Sequence, residues 1–310
     1  MNSPISRARI AILAVVLALL LDVSWQSPAA AISNGSAVMQ GMGFDRCDLP
    51  SSSQMHAFFY GTPLYWYGGY LGGSSFACAN TSGPVTASWL NTENAAGWNF
   101  EYIWVGPQAP CSTYVNRFSG TASIAQQQGS AEASSAWHTL LDDGVTNNAT
   151  STPVVYDLES YSSSPSPSCE AAVKAFIQGW VNYMIAPPAE IPAVYGSSCS
   201  SDLTALASLS RPPTFIWGAD WGTGGTTNMS TASLSCVPSG DWVDNQRLKQ
   251  YHSGGYSETH GYPSQAYEQY NGVCMQTDDD NADSFTSPTG FYEDLGSNSY
   301  TAYHSGCQGS

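Results

Sequence analysis

Two carboxylates spaced two residues apart, Asp157 and Glu159, close the short apolar run in Pro153-Val154-Val155-Tyr156-Asp157-Leu158-Glu159-Ser160-Tyr161. In a strand this spacing puts both side chains on one face, roughly 6–7 Å apart at strand rise. Two carboxyls so placed suit a pair working on one glycosidic bond. The same motif also fits a surface strand end with two solvated acids, so the rest of the chain has to decide. Acids recur where other apolar runs stop: Asp45 after Gly43-Phe44, Asp220 after Trp217-Gly218-Ala219, and Asp278 after Met275-Gln276-Thr277. A lone strand-end Asp usually caps the next helix. Four acid-bearing strand ends in a chain poor in charge point instead to a shared pocket.

Crowded carboxylates repel, so at least one should keep its proton near neutral pH. Glu159 is the candidate for that proton, as general acid on the leaving glycosidic oxygen. Asp157 would orient an N-acetyl group of the substrate or hold a developing positive charge, while Asp278 or Asp45 would activate water; spacing leaves these routes open. Trp217 and Trp221 flank Asp220, and Tyr161 follows the central acids. Aromatics beside acids suit sugar stacking and a locally raised carboxyl pKa. The competing placement turns Trp217 outward against a helix.

Other chemistries fit less well. The run Asp278-Asp279-Asp280-Asn281-Ala282-Asp283 invites calcium, yet an EF-hand loop starting at Asp278 would have Ala282 and Asp283 where it needs an oxygen ligand and a glycine. The histidines His56, His138, His252, His260 and His304 show no metal-ligand spacing, and no Cys-x-x-Cys pair occurs. Gly-x-Ser-x-Gly is absent, and the glycine-rich stretch after Tyr65-Trp66-Tyr67 lacks the spacing of a phosphate loop. No metal and no cofactor is expected.

The elements that must position these acids alternate. Strands are predicted ending at Asp45, over Leu64–Gly73, Phe100–Gly106, Pro153–Glu159, Ile191–Tyr195, Thr214–Trp221, Arg247–Tyr251 and Gly272–Asp278. Helices are predicted from Gln54, around Trp89-Leu90, over Ser123–Leu141 with Gly144 closing it, over Cys169–Ile185 with Val173, Phe176, Ile177 and Trp180 on one face, and near Asp202–Leu209. Alternation implies parallel strands, and eight of them over about 250 residues describe a TIM-like (β/α)8 barrel, whose strand C-termini converge on one face. Helical signals fade after the sixth strand, so the last third should have short or missing helices.

Arg7 and Arg9 precede the apolar run Ile10 to Leu21, and Ala29-Ala30-Ala31 offers a cleavage site. Residues 1–31 therefore read as a signal peptide, with 32–40 an N-terminal extension, 41–295 the barrel domain and 296–310 a C-terminal tail. The mature protein should be secreted, with no membrane span after signal removal. The eight cysteines agree with an oxidising compartment. Cys78 with Cys111 and Cys169 with Cys199 are the expected disulfides, each stapling loops after neighbouring strands. The net charge of −16, with Lys174 and Lys249 the sole lysines, excludes nucleic acid and an anionic membrane surface as partners. Neutral or amide-rich glycans remain. Sequons occur at Asn34, Asn80, Asn148 and Asn228.

The ordered set Gly43-Phe44-Asp45-Arg46-Cys47, Tyr67-Gly68-Gly69-Tyr70, Trp104-Val105-Gly106-Pro107-Gln108-Ala109-Pro110-Cys111, Tyr156-Asp157-Leu158-Glu159, Ile216-Trp217-Gly218-Ala219-Asp220-Trp221 and Gln250-Tyr251 resembles a secreted glycoside-hydrolase-like family, domain of unknown function 1906. That family is related by fold to the family 25 lysozymes, barrel muramidases of peptidoglycan. The resemblance implies catalytic positions at Asp45, Asp157, Glu159 and Asp278. It adds Tyr67 and Gln250 to Asp220, Trp217, Trp221 and Tyr161 as substrate-binding candidates, and carries no catalytic role onto Asp220. The expectation is a glycoside hydrolase acting on a polysaccharide or peptidoglycan. The alternative is a catalytically inactive barrel that binds glycan or remodels the envelope.

Overall fold

The computed structural model describes residues 39–284 apart from 63, 78–82, 146–151, 163, 187–189, 200, 222–230, 232–233, 244–245, 254–266 and 271–272. All belong to the unit Ile32–Ser310. The expected signal peptide, most of the N-terminal extension, the C-terminal tail, the four sequons, His260 and His304 lie outside the described residues.

Strands β1 (Met39–Asp45), β2 (Trp66–Gly72), β3 (Asn99–Trp104), β4 (Pro153–Asp157), β5 (Ile191–Ser197), β6 (Phe215–Ala219) and β7 (Gln246–Ser253) run parallel in sequence order. The barrel is closed between β7 and β1 by β10 (Asp278–Ser284), which is antiparallel to both. The stretch expected as the eighth barrel strand divides differently. Val273–Gln276 is β9 of a two-stranded hairpin with β8 (Tyr267–Tyr270), and the acidic run after it enters the barrel. Because β10 runs backwards, its first residue lies at the end where the parallel strands finish, and Asp278 is in register with Asp45.

Helices cover the first five crossovers. Helix α1 (Ser52–Gly61) opens with a capping box: Ser51 Oγ accepts the Gln54 amide and Gln54 Oε1 accepts the Ser51 amide at 2.8 Å. Helix α2 (Ala87–Ala96) is capped by Thr86. Helices α3 (Ala122–Asp142) and α4 (Pro167–Ile185) pack on β3–β5, α4 with Val173, Phe176, Ile177 and Trp180 buried. The next helix is one turn, α5 (Ser201–Thr204), continued by a 3-10 turn at Ala205–Ser208. No α-helix follows β6 among the described residues. There the connection is tied down by polar contacts, with the Arg247 guanidinium donating to the carbonyls of Pro238, Asp241 and Trp242.

The period-2 alternation of each strand separates two apolar layers. Phe44, Tyr67, Phe100, Tyr102, Val154, Tyr156 and Ile216 face the helices. Trp66, Ile103, Val155, Ala193, Phe215, Trp217 and Leu248 fill the barrel. Trp66 and Trp217 meet edge-to-face at 5.6 Å, and two glycines leave them room. A Cβ on Gly43 would run into the Trp66 ring, and one on Gly68 would lie 2.7 Å from Trp217 and 2.8 Å from the Asp45 side chain. The barrel is a packed core up to the level of its acids.

The expected disulfides are corrected. Cys111 pairs with Cys169 and Cys199 with Cys236. Loops after neighbouring strands are indeed joined, but one strand further along: after β3 and β4, and after β5 and β6. Cys47 is also disulfide-bonded.

Candidate active site at the barrel mouth

Asp45 ends β1, Asp157 ends β4 and Glu159 follows it by two residues, while Asp278 begins β10. All four therefore stand at the end where the parallel strands finish. Their charges act on one another. Burial raises the carboxyl of Asp45 well above its ordinary value, and Asp278 raises it further. Burial, then Glu159 and Asp45, does the same to Asp157. Glu159 is raised by burial and by Asp278, against a hydrogen bond from Tyr114 that lowers it. Such a set favours keeping protons that isolated carboxyls would have lost.

The four are held differently. Asp45 Oδ1 accepts the Tyr70 hydroxyl at 3.0 Å and Oδ2 accepts Gln250 Nε2 at 2.8 Å. Gln250 Oε1 in turn accepts the Tyr195 hydroxyl at 2.8 Å and Trp221 Nε1 at 3.0 Å. Asp157 is 6% exposed, and its Oδ1 is buried without a hydrogen-bond partner among the described residues. Glu159 and Asp278 are partly exposed. Beneath the mouth, Asp280 is fully buried next to Asp45, with Oδ1 accepting Trp217 Nε1 at 2.8 Å; burial and Asp45 raise its carboxyl.

Several substrate-binding candidates have other work. Trp217 is fully buried inside the barrel, so it neither stacks on a sugar nor turns outward to a helix. Tyr67 has the opposite strand parity, packs with Phe44 and Trp89, and donates its hydroxyl to the Arg46 carbonyl. Tyr161 is 8% exposed and belongs to the layer under the helices. Asp220 Oδ2 takes Lys249 Nζ at 3.2 Å and the Ser235 amide at 2.7 Å, a tie between β7 and the connection after β6. Gln250 is 3% exposed and holds Asp45, Tyr195 and Trp221 rather than presenting its amide to the opening. Trp221 alone of the six keeps a partly exposed ring at this end.

The acidic run Asp278–Asp283 is a strand, so its side chains alternate between faces instead of converging as a loop of ligands. No group of His, Cys, Asp and Glu side chains among the described residues could hold a metal ion.

Residues missed by sequence reasoning are Tyr70, Tyr195, Asp280, Tyr114 and Gln108. Parity gives the first: Trp66, Gly68 and Tyr70 share the inner face of β2, two and four residues from one another. Asp280 likewise follows Asp278 by two, once that stretch is known to be a strand. Tyr114 and Gln108 sit on the loop after β3 and carry no periodic signal.

A family model described as "Rv2525c-like, glycoside hydrolase-like domain" matches residues 59–277, well over half of the chain. The chain belongs to this family. A comparison with curated proteins gives no match. Among solved structures the chain is similar to an uncharacterised protein of B. stearothermophilus (15% identity, TM-score 0.48, covering 78% of this chain and 95% of that one). It is also similar to the catalytic domain of endolysin ply40 from bacteriophage P40 of Listeria monocytogenes (11%, TM-score 0.46, 79% and 93%). A third is a family GH25 lysozyme from Aspergillus fumigatus (13%, TM-score 0.42, 81% and 96%). What family members share with this chain is a glycoside-hydrolase-like domain, here an eight-stranded barrel with its acids at one end.

Proposed function

We propose that the chain is an exported glycoside hydrolase acting on cell-wall, peptidoglycan-type glycan, with Glu159 as general acid. The observation that carries this reading is the pairing at the end of β4. Glu159 is partly exposed with a raised carboxyl, beside an Asp157 whose buried Oδ1 lacks a donor. Burial and Asp278 keep the Glu159 proton available at a pH where a free carboxyl has lost it, which a general acid requires. The vacant acceptor of Asp157 suits an N–H donated by an N-acetyl group, or the positive charge that develops on the sugar ring. Asp278, partly exposed, is the acid available to activate water; Asp45 has both oxygens engaged and serves to hold the wall of the pocket. The family's description as glycoside hydrolase-like supports the reaction class. The resemblance of the motifs to family 25 lysozymes supports the cell-wall substrate, and two disulfides support export.

The test is release of reducing ends from peptidoglycan and from chitin-type oligomers by wild type and Glu159→Gln. The expected result is a loss of roughly 10²–10⁴-fold in the variant, the usual worth of a general acid. Equal inertness of both proteins over a broad glycan panel would remove the enzyme reading. The partly exposed Trp221, anchored by Gln250, favours the second reading, a barrel that binds glycan without turnover. In that case wall retention survives Glu159→Gln and drops with Trp221→Ala.

A further inference from the structure

Gln108 lies on the loop after β3, far from the acids in sequence, and is fully buried. Its side-chain amide spans the end of β4. Nε2 donates to the Asp157 carbonyl at 2.9 Å and to the Gly106 carbonyl at 3.1 Å, while Oε1 accepts the Glu159 amide at 2.9 Å. One side chain thus closes the main chain on both sides of Leu158. The backbone of Gln108 holds its own loop as well: its amide donates to the Asn116 carbonyl at 2.9 Å, and its carbonyl accepts the Phe118 amide at 3.0 Å. Tyr114 projects from the loop so closed, and its hydroxyl reaches Glu159. The same loop is fastened to β4 by the Tyr156 hydroxyl, which donates to the Pro107 carbonyl at 2.6 Å, and to the start of α4 by the Cys111–Cys169 disulfide.

We propose that Gln108 is a positioning residue: its amide fixes the turn carrying Asp157 and Glu159 and registers the Tyr114 loop against Glu159. The physical case is one of donors and acceptors. Asp157 is the last residue of β4 in register with β5, and the Leu158 amide still donates to the Tyr195 carbonyl before the chain turns away. A buried amide with one donor end and one acceptor end satisfies the Asp157 carbonyl and the Glu159 amide on either side of that point. Neither a carboxylate nor an alkyl chain can do both. Loss of the clamp frees Glu159 to swing toward water, and small displacements of a reacting group are costly, about 10²-fold for an ångström.

This inference rests on the catalytic reading of Glu159, so its test has a readout independent of turnover. Gln108→Leu and Gln108→Glu are compared with wild type, following the Glu159 carboxyl by carbon-13 NMR titration alongside glycan cleavage. In Gln108→Leu the Glu159 midpoint should fall toward the ordinary carboxylate value, since burial is the main cause of its rise, and kcat should drop ~10²-fold with KM little changed. The carboxyl introduced by Gln108→Glu, protonated in acid, can still donate to the Asp157 carbonyl and accept from the Glu159 amide. Wild-type behaviour should therefore return at low pH and vanish as that introduced carboxyl ionises. This second variant also decides the matter should Gln108→Leu fail to fold. A lower melting temperature with an unmoved Glu159 midpoint in both variants would overturn the proposal and leave Gln108 a packing residue. An inert wild type whose Glu159 midpoint still follows Gln108 would instead overturn the hydrolase reading and keep this one.

Discussion

Two groups of carboxyls share one end of the barrel and are held by different kinds of partner. At the seam of β1 and β10, Asp45 accepts from Tyr70 and Gln250 with both oxygens, and Asp280 accepts from Trp217 with Oδ1 while its Oδ2 is buried without a hydrogen-bond partner among the described residues. At the end of β4, the backbone around Asp157 and Glu159 is clamped by Gln108 while the Asp157 carboxyl keeps a vacant acceptor. An unsatisfied buried acceptor costs on the order of 1–3 kcal/mol. Asp280 Oδ2 carries the same cost beneath the mouth; what sets Asp157 apart is its place two residues from the partly exposed Glu159. On the proposed reading Asp45 and Asp280 belong to the wall, and the acids at the end of β4 are the ones that meet substrate.

The sharpest way to break that comparison is to neutralise one side of each group. Glu159→Gln should cost roughly 10²–10⁴-fold in glycan cleavage without lowering the urea midpoint at neutral pH, since a carboxyl raised by burial contributes no stability there. Gln250→Leu should do damage of another kind. It takes the acceptor from Tyr195 and Trp221 and the donor from Asp45, all at 2.8–3.0 Å, and should destabilise the fold by about 2–4 kcal/mol in urea denaturation. If Gln250→Leu unfolds no earlier than wild type, the seam is not the built wall described above.

The pattern of what the sequence discloses follows the same division. Glu159, Asp157 and Asp45 were legible because an acid at the end of an apolar run is a local signal, and β1 to β7 fall where alternation and turn residues place them. Asp278 came out at the right end for the wrong reason. Asp278-Asp279-Asp280-Asn281 is among the least strand-like stretches in the chain. It is nevertheless the strand that closes the barrel, because Trp217 and Thr277 supply donors to Asp280 and Asp279. The Trp217 contact is tertiary, so periodicity does not announce it. Trp217 and Tyr67 lie in the core, which neither the place of Trp217 beside Asp220 nor the motif that brings in Tyr67 announces. In a closed barrel the inner face near the mouth is packed core, and a tryptophan opposite Gly68 fills space that a solvent-facing ring would leave empty. Gln108 and Tyr114 belong to a loop whose conformation depends on β4, which lies some forty residues on.

A smaller effect, of opposite sign, sharpens the contrast at the seam. Asp280 and Asp45 both have carboxyls raised in the folded protein by burial; the charge of Asp45 raises Asp280 further, while Asp280 lowers Asp45 through a hydrogen bond without cancelling its rise. A group whose folded pKa exceeds its unfolded value stabilises most below the unfolded value, and that contribution is lost as pH rises through the folded one. The wild-type melting temperature should therefore fall as pH is raised from the ordinary carboxylate range toward neutral. Asp280→Asn keeps the acceptor for Trp217 Nε1 and removes the ionisation. It should be more stable than wild type at pH 7 and flatter in its pH dependence. A variant less stable than wild type at every pH would mean that Asp280 is held as a charge.

The smallest expected effect lies on the other side. Tyr114 is 41% exposed at the tip of the loop after β3, and its hydroxyl bonds the Glu159 carboxyl; burial with the nearby acids pushes its own phenol up to about 12. A hydrogen bond donated to a carboxylate favours the ionised form, so Tyr114 restrains the rise that burial imposes on Glu159. Tyr114→Phe removes the hydroxyl and leaves the ring. Glu159 should then hold its proton to higher pH, and the basic limb of the kcat profile should move the same way, with the maximal rate changed only a few-fold for one lost hydrogen bond. The direction is what matters here. A limb moving to lower pH would mean that the ring shelters Glu159 more than the hydroxyl polarises it, and Tyr114 would belong with the wall rather than with the acids it covers.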